Sequence, residues 1–271
     1  MTIELPEKLL AIKKDPKDEE SVMDRGFLEK EKRDQRSIEV IGKIVGEDFD
    51  AKVKMGQKWR YIFHPKNIIE VAQDDLEKRG LEYCLAIVAH EGAHRKISRM
   101  DFIPKEVLRS TGFAFLNNAI EDPRVNNWVR SKYDGADEWQ EKSYAEDFPT
   151  NENFDPKERE QYLKSSRKHK MFGYELIRYW SNGSYIDGLP PEVLETLEKT
   201  RKYWELAYKT LPDIEDPTDA EIEQKAMLAY KVIHSLVWSE YRKLVEQDIE
   251  EEKEKQIADD LDKERGEAGE G

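Results

Sequence analysis

The sequence has almost no cysteine, and this scarcity excludes several classes of protein. Cys84 is the single cysteine in 271 residues, so disulfide scaffolds, zinc ribbons and thiolate clusters are excluded. A single cysteine without a disulfide partner is typical of proteins in a reducing compartment. The amino-terminal residues are acidic where a secretory signal would carry positive charge. We therefore expect a cytoplasmic protein.

Long apolar runs and an excess of positive charge are also missing. The longest uninterrupted apolar run covers residues 83–89, far short of the roughly 20 residues that a membrane-spanning helix needs. The chain has 45 Lys and Arg against 59 Asp and Glu, a net charge of -14, whereas binding to a nucleic-acid backbone requires a basic surface. We expect neither a membrane nor a nucleic acid as a partner.

Charge and apolar content divide the chain into three parts. Residues 1–26 are charged and without pattern, which predicts an N-terminal arm on the surface. Residues 27–245 contain the apolar and aromatic positions and can bury a core. Residues 246–271 carry 12 acidic and 4 basic residues, which indicates an acidic tail fraying from a helix end, or a linker to further chain.

The central part predicts an α+β domain that is predominantly helical. Short β-rich runs broken at a glycine and a proline predict a small antiparallel sheet, and longer apolar periodicities predict helices. A polar stretch at 133–157 predicts a loop or lid. The strands are expected at about 50–55, 57–64 and 67–71, and the helices at about 27–46, 73–99, 104–128 with a break near Pro123, 158–180, 190–211, and from a capping box at 218–221 onwards.

The strongest motif is His90-Glu91-Gly92-Ala93-His94, an H-E-x-x-H inside a helical pattern. On an α-helix the two histidines lie about 40° apart and one turn apart, so both imidazoles can reach one ion. Glu91 lies at the edge of that face, where a carboxylate can act as general base on a metal-bound water. The motif therefore predicts a metal site with a catalytic base.

A catalytic zinc site usually has three protein ligands. Ile97 and Met100 stand where a three-histidine peptidase would have its glycine and third histidine, and a di-iron bundle would need a second E-x-x-H pair that this chain lacks. The third ligand should be a downstream carboxylate. The best candidates are Glu121 and Asp122, which lie in an apolar helical segment.

The motif and the downstream Asn118-x-x-Glu121-Asp122-x-Arg124 resemble the gluzincins, which are zinc peptidases with a glutamate ligand on a second helix. They resemble more narrowly the zincin-like domains that accompany AAA+ ATPases and von Willebrand A modules. The resemblance covers about residues 81–130 and implies a zincin-like fold with one zinc per chain.

The same resemblance implies a role for each matching residue. His90, His94 and Glu121 would bind zinc, and Glu91 would be the base. Asp122 would orient a ligand histidine, with Arg124 as its charge partner and Asn118 in the same supporting set. The motif departs from thermolysin-like members at residue 125, where Val stands in place of Asp. This departure leaves Asp122 open as the third ligand.

A site of this kind predicts zinc-dependent hydrolysis of a peptide or protein substrate, of the endopeptidase type. Such peptidases bind their substrate along a sheet edge, so the strand from Trp59 to His64 either lines the cleft or only covers the core. Three residues of the C-terminal half are possible oxyanion donors, although each is more often a structural residue: His169, Tyr174 and His234.

Two other functions remain open from the sequence. The chain could bind zinc without proteolysis, as an adaptor or regulatory subunit of a complex with an AAA+ ATPase or von Willebrand A partner. It could also be a metal-free helical interaction protein. The presence of Glu91 favours the enzyme, because a purely structural zinc site needs no base beside its ligands.

Overall fold

The computed structural model describes residues 16–47, 52–62, 67–100 and 102–268, with side chains from 29 to 260. This part of the chain is mostly helical and contains one small sheet, as the α+β expectation requires. Its α-helices are α1 Pro16–Val45, α2 Gln73–Lys78, α3 Leu81–Ile97, α4 Lys105–Leu108, α5 Phe113–Lys132, α6 Ala136–Asp147, α7 Pro156–Ser165, α8 Lys168–Asn182, α9 Pro191–Tyr208, α10 Asp219–Val232 and α11 Trp238–Ala268, with a π-helical turn at Ile233–Val237.

The sheet is mixed, and the expectation of a purely antiparallel sheet was wrong. Its strands are β1 Lys52–Gly56, β2 Arg60–Ile62 and β3 Ile68–Ala72, in the order β1-β3-β2. β2 runs antiparallel to β3, whereas β1 lies on the other side of β3 and runs parallel to it. Side-chain alternation is the same in both kinds of pairing, so the sequence did not distinguish them. The end of the predicted second strand, including His64, lies outside the described residues.

Helix α3 lies at the centre of the N-terminal half. One side of it packs on the sheet, where the buried Tyr83, Cys84 and Val88 meet Ile69 and Val71. Another side joins α1 and α5 in a second apolar cluster, made of Val45, Ala89, Ala93, Ile97, Val125, Trp128, Val129 and their neighbours. The C-terminal helices enclose a separate and larger cluster against α5. Helices α3 and α5 are therefore held from several directions.

Four predicted segments required correction. The helix expected at 73–99 is divided into α2 and α3 at Gly80, whose φ of 85° is open to glycine but strained for other residues. The helix expected at 104–128 is divided into α4 and α5, and α5 continues through Pro123 to Lys132 instead of breaking there. The helix expected at 158–180 is likewise divided, into α7 and α8. The predicted lid at 133–157 contains α6, which buries few residues and so has almost no apolar stripe to detect.

Both ends of the domain are more helical than expected. Helix α1 begins at Pro16, inside the predicted arm, and α11 runs through most of the acidic tail. The predicted start at Thr218 is confirmed, because the Thr218 side chain accepts a hydrogen bond from the Glu221 amide, whereas Glu221 Oε1 accepts one from the Asp213 amide. Within the part of the chain that the structure describes, no helix combines the length and the apolar character that crossing a membrane demands.

Candidate metal centre

The two motif histidines face each other on α3. His90 and His94 are one helical turn apart, and their rings meet edge to face with centroids 4.5 Å apart. Their Nε2 atoms are 3.0 Å apart. Both side chains are largely buried, with 14% and 12% of their surface exposed. The helical spacing thus brings the two nitrogens together as the sequence predicted.

Helix α5 adds a carboxylate to this pair. The Oδ1 atom of Asp122 lies 3.2 Å from His94 Nε2 and 3.7 Å from His90 Nε2. Its other oxygen accepts a hydrogen bond of 3.1 Å from Asn118 Nδ2. The three residues each offer one ligand atom within 4.8 Å of the others, so together they can hold a metal ion.

The donor set fits zinc in both chemistry and spacing. Zinc binds imidazole nitrogen and carboxylate oxygen at about 2.0–2.2 Å, which puts neighbouring ligand atoms of a tetrahedral site about 3.3 Å apart. The separations among His90, His94 and Asp122 lie between 3.0 and 3.7 Å. An ion between these atoms would require only small side-chain movements.

Glu121 is directed to other partners. Its Oε1 accepts hydrogen bonds from Ser98 Oγ and Arg124 Nη2, both at 2.6 Å, and its Oε2 accepts one of 2.8 Å from Arg124 Nε. Burial alone would raise the pKa of Glu121, but the charge and hydrogen bonds of Arg124 lower it. Arg124 therefore pairs with Glu121, and not with Asp122 as expected. The i, i+3 spacing of this pair was a signal available in the sequence.

The predicted base, Glu91, lies between the histidines and the sheet. It is 8% exposed, and its carboxylate accepts a hydrogen bond from the backbone N–H of Tyr61 in β2. Burial raises the pKa of Glu91, and the neighbouring His90 and His94 act in the opposite direction without overcoming this effect. A raised pKa makes the ionised carboxylate a stronger base than an ordinary one.

Two residues that hold the histidines were missed by sequence reasoning. His90 Nδ1 lies 3.0 Å from Asn126 Oδ1, and His94 Nδ1 lies 2.9 Å from Ser98 Oγ. Each partner stands four residues after a member of the metal group, Asn126 after Asp122 and Ser98 after His94. This helical spacing was a usable signal, although many polar residues share it by chance.

The centre opens into a cleft of about 230 Å³. Trp59, Arg60 and Tyr61 border the cleft beside Glu91, so the described start of the predicted strand lines it. Helix α5 and the segment after α3 provide the remaining wall, with Ser98, Met100, Asn117, Asn118, Glu121 and Asp122.

The three possible oxyanion donors lie elsewhere. His169 is buried and bonded through Nδ1 to Asp248 Oδ2 at 2.6 Å. Tyr174 packs edge to face on Phe115, and His234 packs in the same way on Phe113. None of the three residues, all of which the structure describes, lines the cleft. All three contact the first turn of α5, well before Asp122; His169 is buried, whereas Tyr174 and His234 are exposed.

Comparison with known proteins found no relative. No family model, no curated protein and no solved structure matches the chain. The residues of this centre are therefore what points to a function.

Proposed function

We propose that this protein is a zinc-dependent hydrolase of peptide bonds. In this proposal His90, His94 and Asp122 bind the metal and Glu91 is the general base. The observation that carries the proposal is the convergence of two imidazole nitrogens and one carboxylate oxygen at an open cleft, beside a buried carboxylate that is not among the ligands. A purely structural zinc site is closed by four protein ligands and has no use for such a base.

The choice of Asp122 over Glu121 follows from their contacts. Both oxygens of Glu121 are engaged by a buried arginine, and withdrawing the carboxylate would leave that guanidinium charge unpaired, at a cost of about 3–5 kcal/mol. Asp122 has only Asn118 on one oxygen and points the other at the histidines. It can bind an ion without breaking a buried ion pair.

The metal, Glu91 and β2 would each have a separate role in the reaction. Zinc, when bound, lowers the pKa of a coordinated water and polarises a carbonyl oxygen. Glu91 is placed to accept the proton of the attacking water and to pass it to the leaving amine nitrogen. β2 is an outer strand of the described sheet and borders the cleft, so an extended peptide can lie along it, beside the Tyr61 N–H that is bonded to Glu91.

Zinc content and peptide cleavage should be measured together on the purified protein and on variants. The wild type should contain about one zinc per chain and cleave an unfolded protein substrate. Glu91→Gln should retain zinc and lose at least about 100-fold in kcat, the usual contribution of a general base. Asp122→Asn should lose zinc, whereas Glu121→Gln, which keeps an acceptor oxygen for Ser98, should retain it when circular dichroism shows the variant to be folded. His234→Ala, at an exposed histidine outside the cleft, is the matched control and should change neither property.

Other outcomes would contradict the proposal at different points. Zinc without cleavage in the wild type would exclude the peptidase and favour the zinc-binding adaptor or regulatory subunit. Loss of zinc in Glu121→Gln but not in Asp122→Asn would reverse the ligand assignment. A wild type without metal, even after incubation with zinc, would overturn the metal site itself.

A further inference from the structure

A histidine can bind a metal through Nε2 only when that nitrogen is free of its proton. In a neutral imidazole the proton must then sit on Nδ1, and the partner of Nδ1 decides whether it does. Both His90 and His94 turn Nε2 towards Asp122 and Nδ1 away from it. The side chains behind the histidines therefore determine whether the centre is ready for an ion.

Behind His94, a relay of hydrogen bonds begins at an arginine. Arg124 can only donate, and it donates to both oxygens of the Glu121 carboxylate. Ser98 donates its one hydroxyl proton to Glu121 Oε1 at 2.6 Å. The Ser98 oxygen can then only accept from His94 Nδ1, at 2.9 Å. This relay places the His94 proton on Nδ1.

A second relay behind His90 also begins at an arginine. Arg130 Nε donates to Gln140 Oε1 at 2.7 Å, which leaves the Gln140 amide nitrogen to donate to Asn126 Oδ1 at 3.0 Å. Asn126 Oδ1 therefore accepts from His90 Nδ1. Reversing either amide would set one N–H group against another. The proton of His90 is thus also placed on Nδ1.

The side-chain amide nitrogen of Asn126 is hydrogen-bonded as well. Its amide nitrogen donates to Tyr144 Oη at 2.6 Å, and Gln140 and Tyr144 both belong to α6. Asn126, Gln140 and Ser98 are each at most 3% exposed, so water does not compete for these bonds. Helix α6, in the predicted lid region, therefore holds Asn126 in place behind His90.

We propose that Ser98 and Asn126 are positioning residues that keep a proton on Nδ1 of both histidines, so that Nε2 is the nitrogen that each ring offers to a metal ion. In the metal-free protein the 3.0 and 3.2 Å contacts of His94 Nε2 with His90 and Asp122 still hold a proton, which the metal displaces. The direction of each relay is set by its arginine, Arg124 or Arg130. This inference rests on the metal site of the proposed function, but its first test needs no metal.

The tautomers can be observed in protein labelled with ¹⁵N-histidine, by long-range proton–nitrogen NMR correlation. In the metal-free wild type, His90 and His94 should both carry a proton on Nδ1. Ser98→Ala should allow the proton of His94, but not that of His90, to leave Nδ1. Asn126→Ala should have the same effect on His90 and not on His94. Ser98→Thr retains a hydroxyl and Asn126→Asp retains an acceptor oxygen, so both variants should preserve the wild-type tautomers.

Zinc affinity, measured by competition with a chelator, gives the second readout. Ser98→Ala and Asn126→Ala should each weaken zinc binding by about 10–100-fold, the usual effect of removing the group that orients a ligand histidine. Ser98→Thr and Asn126→Asp should bind nearly as the wild type does. Circular dichroism of each variant establishes that it is folded, so a lost affinity in a folded variant supports positioning.

Results against the inference are distinct from results against the proposed function. An Nδ1 atom without a proton, in either histidine of the metal-free wild type, would overturn the relays, whatever the zinc measurements give. Unchanged zinc affinity in both alanine variants would overturn the positioning role while leaving the metal site intact. A wild type that binds no zinc would overturn the proposed function, together with the metal-binding purpose of the relays.

Discussion

Glu121 and Asp122 are neighbours in the chain but have different surroundings. Successive residues of an α-helix point about 100° apart, so only one of the two acids can face the histidines of α3. The other is directed into the space between α3 and α5, where Arg124 also binds the carbonyl oxygen of Ile97 at 2.9 Å. The arginine thus bonds both a side chain of its own helix and the end of α3.

Cys84 provides a prediction at the same scale. It has no exposed surface, and burial raises the pKa of its thiol to about 12. Because the thiolate is the reactive form, a pKa of this size lowers the reactive fraction at pH 8 by about 10³-fold relative to an ordinary thiol. We expect a thiol reagent to modify the native protein very slowly and to modify one thiol per chain in guanidinium chloride. Rapid modification of the native protein would show that α3 opens readily.

The contact between α1 and α3 depends on glycine at the scale of elements. A Cβ atom at Gly92 would lie 3.0 Å from the backbone oxygen of Gly42 and 3.1 Å from the backbone nitrogen of Gly46. These are atoms of a facing backbone and cannot move aside as a flexible side chain would. The glycine within the metal motif therefore has a packing role, which lets α1 lie directly against the helix of the two histidines.

We predict that Gly92→Ala destabilises the protein by about 1–3 kcal/mol, the usual cost of overpacking a closely fitted contact. Alanine also favours the helix by about 1 kcal/mol relative to glycine, which offsets only part of the overpacking cost at the upper end of this range. Urea unfolding gives the measurement, with Glu82→Ala as the control because Glu82 is an exposed residue in the first turn of the same helix. An unchanged midpoint in Gly92→Ala would mean that α1 can shift at no cost.

For the whole molecule, α11 joins the core at one end only. Tyr241, Leu244 and Val245 are buried, and Asp248 accepts hydrogen bonds from the backbone amides of Lys168 and His169 at the start of α8. Every described side chain from 249 to 260 is exposed. The acidic part of α11 therefore extends beyond the last buried residue, and its described contacts with the domain there are the ion pairs of Glu251 with Lys168 and of Glu252 with Arg167.

Two truncations test this division. A chain that ends after Lys253 should unfold with nearly the same free energy as the full chain, because the described side chains that it removes, 254–260, are all exposed. A chain that ends after Gln247 should lose about 2 kcal/mol or more, since it removes the carboxylate that caps α8 and pairs with His169. Denaturant unfolding distinguishes the two. Equal stability of both truncated chains would show that the Asp248 contacts are not needed.

Local properties of the chain were readable from the sequence because they depend on residues within a few positions of each other. The i, i+4 histidines, the Thr218 cap and the apolar run around Cys84 are of this kind, and each has its expected placement. The predominantly helical α+β composition follows from the same short-range periodicity.

Contacts between distant segments were decided only by the tertiary structure. The side of β3 on which β1 pairs, the choice of Asp122 to face His94, and the support of His90 by α6 all join residues far apart in the chain. Helical periodicity states which side chains share a face, but not which other element that face will meet. The sequence alone therefore predicted two histidines and a carboxylate, and the packing of α3 against α5 and α6 decided which carboxylate lies beside them and which residues hold them.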